Sequence, residues 1–288
     1  MAKAILASLT GFGSDKTVMD AAVAVATIEG GHIDCLHTRI DAVETAAWIG
    51  AMRPRRHHSL GEIAQSIAQE EQGRSIHAKA AFQDACRRHS LIICDEPGKA
   101  DGVSVSWKEL TTLSNETLHQ ARFHDLVVLA RETELSSERI YNVLEQSGRP
   151  VLIAPAKPIE RVGRTVVIAW KDSPESARAL SAAMSILSLA ENVFIVSVSE
   201  NDAGDDADRW SAEQLQKQLC WHGIKAEIRL EYSPTVSTSK KIGELAYNCD
   251  ADLLVMGAFG HSRIREFILG GVTRDILAEF AIPVFMFR

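Results

Sequence analysis

The chain contains the same succession of strands and helices twice, and this internal repeat limits its fold more than any other feature. Four apolar, β-rich runs in the first half each have a counterpart in the second half, in the same order. In both copies an Ala-rich helical stretch separates the first run from the second. Such a repeat indicates that a whole folding unit is duplicated. The paired runs are 3–10 with 164–171, 32–40 with 192–200, 124–133 with 251–260, and 149–155 with 282–288.

Each half is predicted to alternate five strands with four helices. Continuous apolar strands between helices are typical of a parallel sheet that is buried on both faces and connected by right-handed crossovers. The segment between the halves carries Pro155, Pro158 and Gly163 among charged residues, which is typical of a domain boundary. We therefore predict two tandem α/β domains, residues 1–157 and 160–288.

Composition and overall charge disfavour several classes of partner, although a local basic patch could still exist. The chain is 46% hydrophobic and 24% charged, and its net charge of -7 provides no basic field for nucleic acid or an anionic membrane. No apolar run approaches the roughly 20 residues that span a bilayer, and the start of the sequence lacks the features of a secretory signal. We expect a soluble cytoplasmic protein that binds neither nucleic acid nor membranes.

The cysteines indicate neither a disulfide framework nor a metal site. They are odd in number, widely spaced and contain no Cys-x-x-Cys pair, so no zinc site is predicted. We expect them to act as small buried hydrophobic residues. The five are Cys35, Cys86, Cys94, Cys220 and Cys249.

The first half is longer than the second by an insertion. Ala4 and its counterpart Val166 are 162 residues apart, whereas Asp125 and Asp252 are 127 apart, so the first half holds about 35 additional residues, which we assign to 41–100. This stretch includes RPRRHHSLGEIAQSIAQEEQ, a basic turn followed by a long helical pattern with a polar face. The basic cluster could contact an anionic ligand, or it could be a solvated loop before the helix.

The second half contains a glycine-rich loop that the first half lacks. Asp125 and Pro150 are 25 positions apart and Asp252 and Pro283 are 31 apart, so six residues are missing from the first half. They fall in GAFGHSRIREFILGGVT, residues 257–273. The corresponding first-half segment connects a strand to a helix without such glycines, so connection alone does not require them. Ligands of open parallel sheets bind beyond the carboxyl ends of the strands, where this loop begins.

A phosphate site explains these glycines, although a loop that is glycine-rich without a ligand is the alternative. Glycines permit positive φ and a close approach of the backbone to a ligand. A helix predicted to begin at Gly271 or Val272 presents free N–H groups and the positive end of its dipole to a phosphate. Further hydrogen bonds or charge could come from Ser262, Thr273, Arg263 and Arg265.

The loop closely resembles the nucleotide loop of the universal stress protein family. The resemblance rests on Gly257-x-x-Gly260, nine residues, and then Gly270 with a small residue after it, placed between DLLVMG and IPVFMF. The whole chain resembles a tandem pair of such domains, with the second half the better match. This implies a Rossmann-like, five-stranded parallel sheet of order 3-2-1-4-5 in each domain. It also implies an adenine nucleotide in the second half, ATP first, with AMP or ADP as alternatives and Mg²⁺ as an optional companion.

Site residues follow from the resemblance by position. The loop glycines would contact the phosphates and the ribose, and Val198, at the end of the second strand, falls where family members contact the adenine. Gly271 stands where a serine is more usual. The implied nucleotide-binding residues are Gly257, Gly260, Ser262, Gly270, Gly271, Val272, Thr273, Val198, Met256, Trp170, Lys171 and Asp172.

The turn after the first strand of the second half departs from the family pattern. Where ATP-binding members carry a VDGS-like turn, this chain has Trp170, Lys171 and Asp172, so a lysine replaces the base-contacting carboxylate. Lysine cannot accept a hydrogen bond from the adenine amino group. Lys171 could instead reach a phosphate, Asp172 could substitute after a shift of the turn, or the pocket could be altered. The first half, with LTGFGSD and no glycine loop, is not expected to bind nucleotide in the family manner.

Enzymatic function is not favoured by the sequence. It contains no Gly-x-x-x-x-Gly-Lys-Ser/Thr, and the glycine loop follows a late strand, unlike a dinucleotide fingerprint. Nothing orients His261 and Asp172 as an acid/base pair, so slow ATP hydrolysis is the most we expect. We predict a stress-response signalling module. The alternative is a nucleotide-free interaction scaffold. The resemblance implies that domains of this family associate through their last strand. In either case the last strand of each half is therefore expected to pair with the other, which makes the chain an internal pseudo-dimer that could dimerise further.

Overall fold

The computed structural model describes residues 2–52, 59–112, 116–131, 134–199, 206–259 and 271–288. Within them, the first half contains β1 (Ala4–Leu9), α1 (Asp15–Glu29), β2 (His32–Ile40), α2 (Ala42–Met52), α3 (Leu60–Arg88), β3 (Ile92–Ile93), β4 (Ser104–Thr112), α4 (Glu116–Ala121), β5 (Leu126–Ala130), α5 (Glu134–Gln146) and β6 (Val151–Ala154). The second half contains β7 (Thr165–Ala169), α6 (Pro174–Leu187), β8 (Asn192–Ser199), α7 (Asp206–Trp221), β9 (Ala226–Tyr232), α8 (Thr238–Asn248), β10 (Leu253–Gly257), α9 (Gly271–Glu279) and β11 (Val284–Phe287).

The strands form one continuous sheet in the order β3-β4-β2-β1-β5-β6-β11-β10-β7-β8-β9. All neighbouring strands pair in parallel except β6 and β11, which pair antiparallel. Without the two-residue strand β3, each half has the order 3-2-1-4-5, so the predicted tandem α/β fold is confirmed. The boundaries at residues 157 and 160 stay predictions.

The two halves are joined edge to edge by β6 and β11. Val284 pairs with Ile153, and Phe285 pairs with Leu152, in antiparallel register. Both members of the second pair are at most 2% exposed. Each strand would otherwise present unpaired N–H and C=O groups at a sheet edge, and the pairing satisfies them. The predicted internal pseudo-dimer is therefore confirmed.

The insertion in the first half forms one extra helix and lengthens another. Between β2 and β4 the chain forms α2 and the 29-residue α3, whereas α7 alone fills the corresponding interval described in the second half. A capping box starts α3, because Ser59 Oγ accepts the Glu62 N–H at 3.2 Å and Glu62 Oε2 accepts the Ser59 N–H at 3.0 Å. The predicted basic cluster, residues 53–58, lies outside the described residues.

Helices cover both faces of the sheet. One apolar layer packs α1, α3, α6 and α7 against the sheet, and a second layer packs α5, α8 and α9 against its other face. Of the free cysteines, Cys35 is buried and three are partly buried, but Cys220 is exposed at the end of α7, where the expectation of burial is wrong. In the part of the chain that the structure describes, no helix is long and apolar enough to cross a membrane.

Candidate functional site

The candidate site of the second half lies where the strand order reverses, between β7 and β10. Met256 is in register with Ala169, so the carboxyl ends of the two strands are adjacent. The turn after β7 leads into α6, whose N-cap Ser173 accepts the Ser176 N–H at 3.2 Å. By topology α9 also begins at this edge of the sheet, since it returns the chain to the start of β11. Two helix N-termini thus face the carboxyl edge.

Gly257 is required for packing between β10 and α6. A Cβ atom at this position would lie 2.6 Å from the Ser176 nitrogen and 2.8 Å from the Glu175 carbonyl carbon. Both are main-chain atoms, which cannot rotate away. The φ angle of Gly257 is outside the left-handed region, so the need for glycine comes from the close helix and not from a positive φ. This reason is not visible in the local sequence.

The helix predicted after the glycine loop begins at Gly271, as expected. Gly271 is exposed, and a Cβ there would meet no atom within 4 Å, so the serine more usual in the family would fit. Val272 is also exposed, whereas Thr273 is only 4% exposed and belongs to the packed side of α9. Of the other loop residues, Gly260, His261, Ser262, Arg263, Arg265 and Gly270 lie outside the described residues.

The start of the loop touches the other half of the molecule. Phe259 has a φ of 65°, unusual for a residue with a side chain, and its ring lies edge-on to Tyr141 of α5 with 5.3 Å between centroids. This contact across the halves is possible because β6 and β11 pair. No sequence pattern predicts it.

The predicted base-site residues separate into two groups. Met256 and Val198 pack in the apolar layer shared with α8 and α9. Trp170 packs in the opposite layer, and its Nε1 donates to Ser211 Oγ of α7 at 2.9 Å. The structure therefore brings Val198 and Met256 to one face and anchors the Trp170 indole on the other.

Lys171 and Asp172 occupy an exposed turn after β7. The equivalent turn of the first half is closed by a buried carboxylate: Asp15 accepts the N–H groups of Thr10 and Gly11, each at 2.8 Å. Burial raises the pKa of Asp15, and the hydrogen bonds from Thr10 and Gly11 oppose that rise. The first-half turn thus satisfies its own N–H groups, while the second-half turn presents its charged side chains to solvent.

A cavity in the first half was not predicted from the sequence. It has a volume of about 610 Å³ and lies beyond the carboxyl ends of β1 and β2, between α2, α3 and α5. The residues that close it are far apart in the chain: Arg74 of α3 donates from Nε to the Thr10 carbonyl at 3.0 Å, across 64 positions. Gly11, with φ 82°, lies so close to α3 that a Cβ would overlap the Arg74 backbone. The sequence feature that could have indicated this cavity was the insertion, because its additional helical residues must pack against the first half.

A polar network lies at the opposite, amino-terminal edge of the first-half sheet. Asp34 Oδ2 is 2.7 Å from His124 Nε2, Oδ1 is 3.2 Å from His32 Nε2, and Ser106 Oγ donates to Oδ1. Hydrogen bonds from His124 and His32 hold the pKa of Asp34 far below its usual range. Among the described residues, no group of three or more His, Cys, Asp or Glu is arranged to hold a metal ion.

Comparison with known proteins finds similarity to one family, mainly in the second half. The model of the universal stress protein family matches residues 163–288. A universal stress protein of Synechocystis sp. is 26% identical over 174 residues, which cover 57% of this chain and 58% of that protein. The matched segment therefore spans little more than half of that relative's length.

Several solved structures resemble the whole chain. The universal stress protein of Archaeoglobus fulgidus DSM 4304 superimposes with a TM-score of 0.68 at 14% identity, covering 100% of this chain and 99% of that one. A putative universal stress protein of Pseudomonas aeruginosa UCBPP-PA14 gives a TM-score of 0.61 at 14% identity, with 99% and 93% covered. At this identity the likeness concerns the fold. Residues 163–288 therefore match the universal stress protein family, and both halves carry the fold of these solved structures.

Proposed function

We propose that the second half binds an adenine nucleotide, ATP, and that the protein acts in stress-response signalling and not in metabolism. One observation carries the proposal: α9 begins at Gly271, directly after the glycine loop, and faces the switch point between β7 and β10. A helix N-terminus there offers free N–H groups and a positive dipole end, which favour a phosphate.

Different residues of the site would contact different parts of the nucleotide. The main chain around Gly270 and Gly271 would bind the phosphates, and the remaining loop residues the ribose. Val198 and Met256 would contact the adenine, since both lie on one face near the strand ends. Trp170 would support the turn from the other face through its hydrogen bond to Ser211.

Lys171 is assigned to a phosphate and not to the base. Its side chain is exposed in the turn after β7 and carries three N–H donors but no acceptor, so it suits an anion. Asp172 is the neighbouring carboxylate that would take a Mg²⁺ ion accompanying the phosphates. AMP and ADP are the alternative ligands, because the base and ribose contacts are common to all three.

The second candidate function is a nucleotide-free interaction scaffold. The observation that favours it is the replacement of a base-contacting carboxylate by Lys171, together with the use of both edge strands for internal pairing. In this alternative, the exposed α7 residues Trp210 and Trp221, 61% and 83% exposed, are available to a partner.

Nucleotide binding is tested on the purified chain. Mass spectrometry of the denatured protein should detect a co-purified adenine nucleotide, and calorimetry should give ATP binding that Gly260→Val and Gly270→Val abolish, since valine methyls would occupy the path of the phosphates. The matched control is Gly13→Val, at an exposed first-half position where an added Cβ would meet no atom within 4 Å, which should leave affinity unchanged. Unchanged affinity in both loop variants would reject the assignment.

A further inference from the structure

The first-half cavity is the strongest unassigned feature of the molecule. Its volume of about 610 Å³ lies within the range of about 300–1,000 Å³ typical of small-molecule sites. It is at the position in its sheet where open α/β folds bind ligands, beyond the carboxyl ends of the strands. Its floor includes Thr10 after β1 and Thr38 near the end of β2.

The walls of the cavity come from the insertion. Ile49 belongs to α2 and Ile67 to α3, and both line the space opposite Val143 of α5. Together with Ile40 and Leu118 they provide an apolar wall. The second half has no counterpart of α2 among its described residues, so this enclosure is specific to the first half.

Of the two described arginines that line the cavity, Arg74 is paired within the protein. Arg74 Nη1 donates to Glu71 Oε1 at 2.7 Å, and its guanidinium lies 4.7 Å from the centre of the Phe12 ring. Glu71 is only 3% exposed, and its other oxygen accepts the Ile40 N–H at 2.9 Å. Arg74 therefore neutralises a buried carboxylate and holds the turn after β1, so its charge is not available to a ligand.

Among the residues that the structure describes, acidic side chains outnumber basic ones around the cavity. Four glutamates and two arginines are among its described lining residues, and the second arginine, Arg139, donates to Ser8 Oγ at 3.5 Å, a contact that leaves its charge in place. Glu70 and Glu138 are exposed at its mouth. Such an excess attracts cations and repels phosphates. The glutamates are Glu70, Glu71, Glu116 and Glu138.

We propose that this cavity binds a small aliphatic amine, with its ammonium groups near Glu70 and Glu138 and its hydrocarbon chain against Ile49 and Ile67. The chain then carries two different sites on equivalent edges of its sheet. The second half takes an anionic nucleotide, and the first half, rebuilt by its insertion, takes an organic cation. This site is independent of nucleotide binding.

Methyl NMR of the full chain tests the proposal with three probes of equal length: 1,6-diaminohexane, 1,6-hexanediol and adipate. The diamine should shift the methyl resonances of Ile40, Ile49 and Ile67 but not those of Ile242 and Ile276, which lie in the second-half core. We expect the diol to bind about tenfold more weakly and adipate not to bind, because the ammonium–carboxylate pairs are lost or reversed.

Two charge-matched double variants control the measurement. Glu70→Gln with Glu138→Gln should weaken diamine binding about tenfold, whereas Glu160→Gln with Glu213→Gln, two exposed glutamates outside the cavity, should not. All four positions are exposed, so folding should be retained. The proposal is overturned if the diamine shifts none of the cavity methyls, if the first double variant binds it as well as wild type, or if adipate or ATP shifts the same methyls more strongly. Gly270→Val should leave diamine binding intact, which separates this outcome from that of the nucleotide proposal.

Discussion

The two halves share one sheet design but differ at its carboxyl edge. In the first half, Asp15 closes the turn after β1 and Arg74 of the insertion covers it. In the second half, the equivalent turn exposes Lys171, and a glycine loop leads into α9. Strand order and register are the same in both, so the difference lies in the connections. A duplicated fold can therefore acquire a second chemistry through its loops and insertions while its strands stay the same.

The amino-terminal edges differ in a similar way. The third residue of β2 is Asp34, which is hydrogen-bonded to His124, whereas the third residue of β8 is Phe194, which packs against the apolar layer. The first half thus carries a titratable network at a position where the second half has a hydrophobic contact. The following predictions test these differences, starting with the largest effect.

Deleting Val284–Arg288 should cause aggregation. The deletion removes β11 and exposes the edges of both β6 and β10, each a strand of buried apolar residues with unpaired backbone groups. Light scattering after size-exclusion chromatography should show large assemblies. Deleting Arg288 alone removes only the ion pair with Glu145 and is the control, expected to stay soluble. If residues 1–157 and 160–288, expressed separately, remain monomeric and do not associate when mixed, the pairing is not the basis of assembly.

Gly257→Val should destabilise the chain by about 2–3 kcal/mol, because the side chain would collide with main-chain atoms at the start of α6. Gly271→Ser, the matched change in open space, should alter the free energy of unfolding by less than about 0.5 kcal/mol. Urea denaturation measures both. Equal stability of the two variants would show that α6 can move away from β10 at little cost.

ATP should bind with a stoichiometry of one per chain, because the first-half turn is closed and its cavity is acidic. Lys171→Ala should weaken ATP about tenfold and AMP less, if the lysine contacts the outer phosphates. The affinity of Asp172→Asn for ATP, measured with and without Mg²⁺, serves as the comparison. If calorimetry finds two equivalent sites per chain, the proposed difference between the halves is wrong. If Lys171→Ala weakens the binding of ATP and AMP equally, Lys171 does not contact the outer phosphates.

Acid should destabilise the first half through Asp34. Its folded-state pKa is depressed, so its contribution to stability is present above the ordinary value of 3.8 and is lost as the pH falls below that value. Since the Asp34 side chain is 40% exposed, we expect about 1 kcal/mol or less. Urea midpoints from pH 6 down to the acid limit of solubility should fall less steeply for Asp34→Asn than for wild type. A parallel decline in both proteins would contradict the assignment.

The repeat, the parallel α/β fold, the start of α9 and the pairing of the last strands were all predictable from sequence. The first three depend on local patterns, namely continuous apolar runs between helices and a glycine before a helix. The pairing of the last strands followed from the family resemblance, which implies that domains associate through this edge. The amino-acid sequence by itself thus determined the fold class and indicated where a nucleotide site would lie.

Only the tertiary structure decided how the two carboxyl edges are built. The packing role of Gly257, the anchoring of Trp170 by Ser211, and the closure of the first-half turn by Arg74 all join residues from different elements. Nothing in the sequence around one partner identifies the other. Such contacts arise when helices pack on a completed sheet, where main-chain atoms approach within a few ångströms and small differences in side-chain volume decide which positions tolerate a side chain.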